Sequence, residues 1–293
     1  MEKQILQAVT QNCNLACEYC RRHSGNTYDM FNKEENAVEF ERDKWPLIKE
    51  IIINNDVKRV MLTGGEPLEY SLLLEYCKFL LSLNVKVIIH TNGLSKNGLM
   101  FLDAIHKLKM RVDFHVSSEL FLDIQKKLRG DQLPVNFIEH CRFYGYNVRL
   151  KVTMTNLLCT KIDELEDCFY WWKEIGISTI IFQPIVYIND KVRKDIYLTS
   201  DFIKVIDKIE GLGNEKRILK NMLHNSKESW QALKEILNGE NVPIEIINKC
   251  ITYEKMLSLD TNLNIGNCKS LWNKDVDASC QECFDLVCCG FIA

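Results

Sequence analysis

The sequence lacks long apolar runs. No stretch approaches the roughly eighteen consecutive apolar residues that a transmembrane helix needs, and the opening Met-Glu-Lys-Gln-Ile-Leu has no apolar signal region. An excess of positive charge is also missing, because the formal net charge is −3. We therefore predict a cytoplasmic protein that does not enter a membrane and has no general affinity for nucleic acid phosphates.

Size and composition set the next bounds. The chain has 293 residues, of which 46% are hydrophobic and 26% are charged. This allows one large domain, or a large domain with a small one, around an ample core. Thirteen cysteines would indicate disulfides in a secreted protein. In a cytoplasmic protein the same number favours metal binding.

Three of the cysteines lie close together near the start of the chain. Cys13, Cys17 and Cys20 have the spacing C-x3-C-x2-C. Thiolates hold iron–sulfur clusters, and a [4Fe–4S] cube normally takes four of them. Three ligands therefore leave one iron open, as a vacant ligand position marks a catalytic zinc site. A zinc site, or cysteines with no common role, is the alternative at this point.

A second motif follows a short apolar run at 57–62 that reads as a buried strand. Thr63 precedes Gly64, Gly65, Glu66 and Pro67. Paired glycines let a backbone turn sharply and approach a ligand closely, the proline fixes the chain as it leaves, and the glutamate offers a carboxylate. An ordinary turn between a strand and a helix would explain the same residues.

Together the cysteine triplet and the Gly-Gly-Glu-Pro run resemble the radical S-adenosylmethionine (SAM) superfamily. The resemblance implies that Cys13, Cys17 and Cys20 hold a [4Fe–4S] cluster whose open iron binds the amino and carboxylate groups of SAM. It implies that the run Gly64, Gly65, Glu66 and Pro67 contacts the SAM amino group. Tyr19 matches the aromatic position before the third cysteine, near the adenine.

Strand and helix patterns alternate six times. The strands are predicted at 5–9, 57–62, 85–90, 111–117, 147–153 and 177–183, with helical patterns between them. Such alternation indicates right-handed βαβ units and a parallel sheet. We predict an α/β fold, a partial (β/α)6 TIM-like barrel, which is also the fold that the resemblance implies for residues 1–210. Ligands in such folds bind at the carboxyl ends of the strands, where both motifs fall.

Weaker signals stand at other strand ends. Asn92 lies in a Thr-Asn-Gly turn similar to one of the same family, although Asn-Gly turns are common. Ser117 and Glu119, with Arg129 and Gly130 farther on, resemble the fourth-strand segment of SPASM-type radical SAM enzymes, where polar residues approach the SAM ribose and methionyl group. His115 is expected to be a strand histidine satisfied by a neighbouring carbonyl rather than a catalytic one. Lys151, Thr153 and Gln183 either point into the barrel mouth or are simple polar lining residues.

The chain changes character near its end. We expect a helical linker at 211–243 and a cysteine-rich module at 244–293, in which a hairpin at 256–267 separates Cys250 from Cys268. This arrangement resembles the SPASM or shorter twitch domains, although Leu263 stands where that family has a turn glycine. The resemblance implies one auxiliary [4Fe–4S] cluster held by Cys250, Cys268, Cys280 and Cys283. Cys288 could replace Cys280 or Cys283, and otherwise Cys288 and Cys289 would be spare thiols. A four-cysteine zinc ribbon is the alternative.

The resemblance implies an oxidoreductase or epimerase that cleaves SAM to a 5′-deoxyadenosyl radical and abstracts a substrate hydrogen. We expect the substrate to be a ribosomally made peptide that is oxidised, crosslinked or epimerised. The alternatives are a dehydrogenase or epimerase of a sugar or aminocyclitol, and a non-catalytic iron–sulfur or zinc protein. The family implies a flavodoxin or ferredoxin as the reductant. No residue pattern names the substrate.

Overall fold

The fold is a parallel sheet with helices between successive strands. The computed structural model describes residues 2–20, 38–184, 196–223, 225–240, 256–263 and 265–266. Its strands are β1 (Lys3–Thr10), β2 (Val57–Gly64), β3 (Lys86–Thr91), β4 (Val112–Ser117), β5 (Val148–Met154), β6 (Thr179–Pro184), β7 (Met256–Leu259) and β8 (Ile265–Gly266). They form one sheet in the order β6-β5-β4-β3-β2-β1-β7-β8. Strands β1 to β7 run parallel to one another, and only β8 at the edge is antiparallel to its neighbour among the described strands, so the carboxyl ends of β1 to β6 share one edge.

Helices occupy the connections between strands. They are α1 (Trp45–Asn54), α2 (Leu73–Ser82), α3 (Gly98–Lys107), α4 (Leu122–Leu128), α5 (Val135–Phe143), α6 (Leu165–Ile175), α7 (Ile203–Glu215), α8 (Arg217–Lys220) and α9 (Lys227–Asn238). Short 3-10 turns adjoin several of them, including Pro67–Glu69 directly after the Gly-Gly-Glu run. No helix in the ranges named above is long and apolar enough to cross a membrane.

The two faces of the sheet differ in chemistry. Along β5 buried and half-buried residues alternate strictly, as expected for a strand with period two. Val148, Leu150 and Val152 join the large core that also contains the buried faces of the helices. Residues between them point to the other, concave face. A second, small apolar cluster of Met61 and Ile88, with Leu6 against it, lies apart from the large core.

A seventh parallel strand adjoins β1 on its free side. Residues 256–267 were predicted to form a hairpin of the C-terminal module, and β7 does pair antiparallel with β8. However, β7 also pairs parallel with β1, so this hairpin extends the barrel sheet. Leu263 in its turn has a φ of 64°, a left-handed conformation that glycine adopts more readily than leucine. The division into domains at 210 and 243 stays a prediction.

The predicted fold class is confirmed: strands and helices alternate in a TIM-like partial barrel. All six predicted strands are present, and each is within two residues of its predicted bounds. The seventh parallel strand was not predicted as part of the barrel. The cysteines assigned to the auxiliary cluster, and the two spare thiols, lie outside the described residues; they are Cys250, Cys268, Cys280, Cys283, Cys288 and Cys289.

Candidate active site

The three clustered cysteines lie in the loop that leaves the carboxyl end of β1. Cys17 is buried, Cys13 and Cys20 are half-buried, and none of the three forms a disulfide. The Cys20 amide donates to the Cys17 carbonyl over 2.9 Å, which closes a tight turn between the second and third thiols. The amide of Glu18 donates to the Leu128 carbonyl at the end of α4 over 2.9 Å. The loop is therefore held against the barrel rather than extending into solvent.

The glycine pair fastens this loop from the side of β2. The Gly65 amide donates to the Thr10 carbonyl over 2.7 Å, and the Glu66 amide donates to the Asn12 carbonyl over 2.6 Å. A Cβ atom on Gly65 would lie 2.1 Å from the Asn12 oxygen, and one on Gly64 would lie 2.3 Å from the Thr10 oxygen. The glycines thus serve a close approach of backbone to backbone, where the sequence suggested an approach to a ligand.

Glu66 connects the ends of β2 and β3. Its side chain is buried and accepts three hydrogen bonds, from the Leu68 amide over 3.1 Å, the Thr91 hydroxyl over 2.6 Å and the Asn92 amide over 2.7 Å. Burial raises the pKa of Glu66 to about 7, although these three donors act to lower it. The carboxylate is therefore already occupied in shaping the turn at Thr91 and Asn92.

Asn92 extends this connection to the cysteine loop. Its side-chain amide donates to the Asn14 side-chain oxygen over 2.8 Å, next to Cys13. Its own side-chain oxygen accepts from the Leu94 amide over 2.7 Å and so closes an Asx turn. The Thr-Asn-Gly turn thus supports the segment that carries the first thiol. Asn14 was not singled out from the sequence, because an asparagine in a loop gives no signal of its own.

A buried charged cluster supports the loop from the opposite side. The Tyr19 hydroxyl donates to a Glu119 carboxylate oxygen and accepts from the Arg129 guanidinium over 2.9 Å. Burial raises the pKa of Glu119 to about 7, whereas Arg129 and the Tyr19 hydroxyl lower it. The second Glu119 oxygen is buried and has no hydrogen-bond partner in the described part of the chain. Such an orphaned acceptor, beside a cysteine loop, is suited to a ligand hydroxyl or amine.

The three thiols influence one another electrostatically. Burial raises the pKa of the Cys17 thiol to about 11; Arg129 acts against this, while Cys20 and Cys13 raise the value further. A bound cation favours loss of the proton from such a thiol, and the iron of a cluster would supply that charge. In the ranges that the structure describes, no three His, Cys, Asp or Glu side chains are grouped as ligands of a single metal ion. A cube binds each thiolate at a different iron, so its ligands stand farther apart than those of one ion.

The remaining predicted residues stand on the concave face at the ends of β4 to β6. Ser117 pairs with Lys151 on the next strand, and Thr153 pairs with Gln183 on the strand after it. His115 lies two residues before Ser117 and stacks on His90, with ring centroids 4.9 Å apart. The structure thus brings Tyr19, Glu66, Asn92 and Glu119 into contact with the cysteine loop or its supports.

Sequence reasoning missed the part that Arg129 plays. In the sequence, Arg129 only resembles part of a family segment, and no pattern assigns it a role. Its partner Tyr19 lies 110 positions away along the chain, and no local pattern announces such a contact. The Arg-Gly step after a short helix was the available signal. Its charge now explains how a buried Glu119 and a buried Cys17 are accommodated at one place.

The chain is similar to one family over most of its barrel. A family model described as the radical SAM superfamily matches residues 8–197. An uncharacterized protein of Methanocaldococcus jannaschii is 25% identical over 245 residues, 78% of this chain and 77% of that protein. GTP 3′,8-cyclase of Staphylococcus carnosus is 24% identical over 216 residues, 70% of this chain and 58% of the cyclase.

Solved structures agree on the fold. Streptococcus suis SuiB bound to S-adenosylmethionine superposes with a TM-score of 0.68 at 16% identity, covering 94% of this chain and 62% of SuiB. The protein anSMEcpe with bound AdoMet superposes with a TM-score of 0.66 at 16% identity, covering 97% of this chain and 80% of that one. The chain thus spans less than two thirds of SuiB and of the cyclase.

Proposed function

Because this chain belongs to the radical SAM superfamily, we propose that it is an enzyme that abstracts a hydrogen atom from a peptide substrate bound in its barrel. Family membership implies a [4Fe–4S] cluster and SAM, which when bound supply a 5′-deoxyadenosyl radical by reductive cleavage. The observation that carries the proposal is the cysteine loop, whose three free thiols are held at the carboxyl end of the sheet by hydrogen bonds from both sides.

Each residue of the site takes a part in this proposal. Cys13, Cys17 and Cys20 hold the cluster. The Gly64–Pro67 run and Asn92 fix the loop and offer polar groups at the end of the sheet where SAM binds. Tyr19 lies against the adenine, and Ser117 and the unpartnered oxygen of Glu119 meet the ribose and methionyl groups. The barrel itself excludes water from the radical.

The C-terminal cysteines determine the outcome in this proposal. Cys250, Cys268, Cys280 and Cys283 would hold an auxiliary [4Fe–4S] cluster, which would supply an acceptor for the electron left on the substrate; with loss of a proton the outcome would be an oxidation or a crosslink. A spare thiol at Cys288 or Cys289 that returns a hydrogen atom gives an epimerisation instead. A SuiB structure contains the precursor peptide SuiA, and this supports a peptide as the substrate.

A nucleotide substrate is the second candidate, and it is favoured by sequence relatives. Several curated relatives are GTP 3′,8-cyclases, among them that of Helicobacter pylori with 35% identity over 98 residues. Those 98 residues are 31% of this chain and 27% of that cyclase, so they do not carry the substrate over. The sugar or aminocyclitol alternative has no comparable support among the relatives described above.

The test is SAM cleavage by the reconstituted, reduced chain without oxygen. We expect wild-type protein to form 5′-deoxyadenosine and methionine, and Cys13→Ala to form neither. Cys159→Ala is the matched control, because Cys159 is also a half-buried reduced thiol but lies far along the chain in a 3-10 turn. Equal yields from the wild type and Cys13→Ala would refute the proposal. Mass spectrometry of a peptide, or of GTP, after turnover separates the two substrate candidates.

A further inference from the structure

The end of α4 is attached to the cysteine loop at two successive residues. The Leu128 carbonyl accepts from the Glu18 amide over 2.9 Å. Arg129, which follows the last residue of α4, donates from its Nη1 to the Tyr19 hydroxyl over 2.9 Å. The central carbon of its guanidinium also lies 6.0 Å from the centre of the Tyr19 ring. Two consecutive residues of the helix end therefore hold two consecutive residues between the second and third thiols.

Gln125 fixes this helix end to the segment that follows β4. Its side chain is buried; the Oε1 accepts from the Glu119 amide over 3.0 Å, and the Nε2 donates to the Gln132 carbonyl over 2.9 Å. Its backbone carbonyl accepts from the amides of Arg129 and Gly130 over 2.8 and 3.0 Å. The backbone of Arg129 is therefore tied to the end of the sheet through one residue. A charge that is fixed in this way needs no reorganisation when a neighbouring charge changes.

The positive charge of Arg129 acts on the thiols. Burial raises the pKa of Cys17, whereas Arg129 lowers it. The Nε of Arg129 is buried and has no hydrogen-bond partner among the described residues, and the Nη1 is bound to the neutral hydroxyl of Tyr19. This hydroxyl lies between Arg129 and Glu119, because it also donates to the Glu119 carboxylate. The guanidinium thus presents a fixed positive charge to the loop that carries Cys17.

We propose that Arg129 is a positioning residue whose charge favours entry of the electron into the cluster that the cysteine loop holds. This inference rests on the proposed function, since it concerns the electron that cleaves SAM. A [4Fe–4S] cube that takes one electron from an external low-potential donor becomes one unit more negative, and a fixed cation nearby stabilises that reduced form. Net charge is among the properties that set the reduction potential of a cluster. Arg129 therefore makes reduction easier from the same place at which it holds Tyr19.

The test compares reduction in chains that all carry Glu119→Gln. This change keeps an acceptor for the Tyr19 hydroxyl and removes the carboxylate that Arg129→Met alone would leave buried without its charge partner. The full chain is reconstituted without SAM and titrated with dithionite. Electron paramagnetic resonance follows the signal that Cys13→Ala abolishes.

The expected effect follows the charge at position 129. At a fixed solution potential, adding Arg129→Met should lower the ratio of reduced to oxidised cluster about tenfold, which is about 59 mV for one electron. Adding Arg129→Lys should change the ratio less than about 2-fold, because the charge stays. If the Met chain takes up no cluster, Arg129→Gln gives the same comparison with a neutral side chain that can still donate to Tyr19.

Lys234→Met in the same Glu119→Gln chain is the matched control. Lys234 is a partly buried cation that forms 2.7 Å salt bridges with Asp207 and Glu210, but it lies on α9. Its loss should shift the ratio less than about 2-fold, because solvent and salt screen a distant charge.

The outcomes separate this inference from the proposed function. A loss with a neutral side chain that lysine prevents supports the inference, because a purely structural support would not follow charge. Equal ratios with arginine and with the neutral side chain would overturn it, as would equal losses with lysine or with Lys234→Met. A wild-type chain that takes up no reducible cluster overturns the proposed function as well. A chain that cleaves SAM at a potential independent of Arg129 overturns this inference alone.

Discussion

Substitution of Gly65 by alanine should release the cysteine loop. The added Cβ would lie 2.1 Å from the Asn12 oxygen, 2.6 Å from the Asn12 carbonyl carbon and 2.7 Å from the Gln11 oxygen. All three are backbone atoms, so no flexible side chain can move aside. The loop must therefore shift by about 1 Å, which is the overpacking case and costs about 1–3 kcal/mol.

The shift also breaks two backbone hydrogen bonds. These run from the Gly65 amide to Thr10 and from the Glu66 amide to Asn12, over 2.7 and 2.6 Å. Each contributes about 1 kcal/mol net. Added to the overpacking term, their loss gives an expected decrease of about 3–5 kcal/mol in the free energy of unfolding.

Urea unfolding followed by circular dichroism measures this decrease, and iron analysis after reconstitution reports the loop directly. Gly211→Ala is the control, because Gly211 lies within helix α7 and a Cβ added there would have nothing within 4 Å of it. That change should raise stability by about 0.5–1 kcal/mol and leave iron binding intact. If Gly65→Ala lowers the free energy of unfolding by less than about 1 kcal/mol and binds as much iron as the wild type, the Gly65 contacts do not hold the cysteine loop in place.

Three further predictions concern buried titratable groups. Glu66→Gln should lower the free energy of unfolding by about 1–3 kcal/mol, because the new NH2 group faces one of the three donors to Glu66 and leaves that donor unsatisfied. The stability of the wild type should fall as the pH rises from 4.5 to about 7, because in this range folded Glu66 holds a proton that the unfolded chain has lost. The substitution should remove this fall. Urea titrations across the range test the loss of stability and its pH dependence. The pKa of His115 is lowered in the folded protein, so below pH 6.5 the unfolded chain binds a proton at this histidine that the folded chain does not. Stability should therefore fall as the pH drops below 6.5. His115→Asn should flatten this slope, and a slope that persists would contradict it. Arg129→Met should cost about 3–5 kcal/mol by leaving Glu119 buried without its charge partner; Arg129→Lys should recover part of this in the same unfolding assay, and equal losses would show that the charge is not what matters.

The barrel could be predicted because its signals are local. Strands such as Val57–Gly64 are apolar runs that end in turn residues, and the cysteine spacing places three thiols in one loop. The sequence predicted the seventh parallel strand as part of a separate hairpin, because a four-residue strand has no pattern that identifies the strand it pairs with. Its pairing with β1 joins positions more than 250 residues apart.

The position of the site could be predicted from the sequence, but the hydrogen bonds between its residues could not. Glu66 was expected to offer its carboxylate to a ligand, but it accepts from Thr91 and Asn92 at the end of β3 and from the Leu68 amide after β2. The link from Tyr19 to Arg129 and the pairing of Ser117 with Lys151 both arise from contacts between distant strands and loops. Such contacts depend on the folded sheet, which places unrelated positions side by side.

The central claim is that Cys13, Cys17 and Cys20 hold a cluster with one iron left for SAM. Electron paramagnetic resonance of the reduced, reconstituted chain, recorded with and without SAM, tests it most directly. We expect a [4Fe–4S] signal that shifts when SAM is added and that disappears in Cys13→Ala while any auxiliary signal stays. A spectrum that SAM leaves unchanged, or one that Cys13→Ala leaves intact, would contradict it.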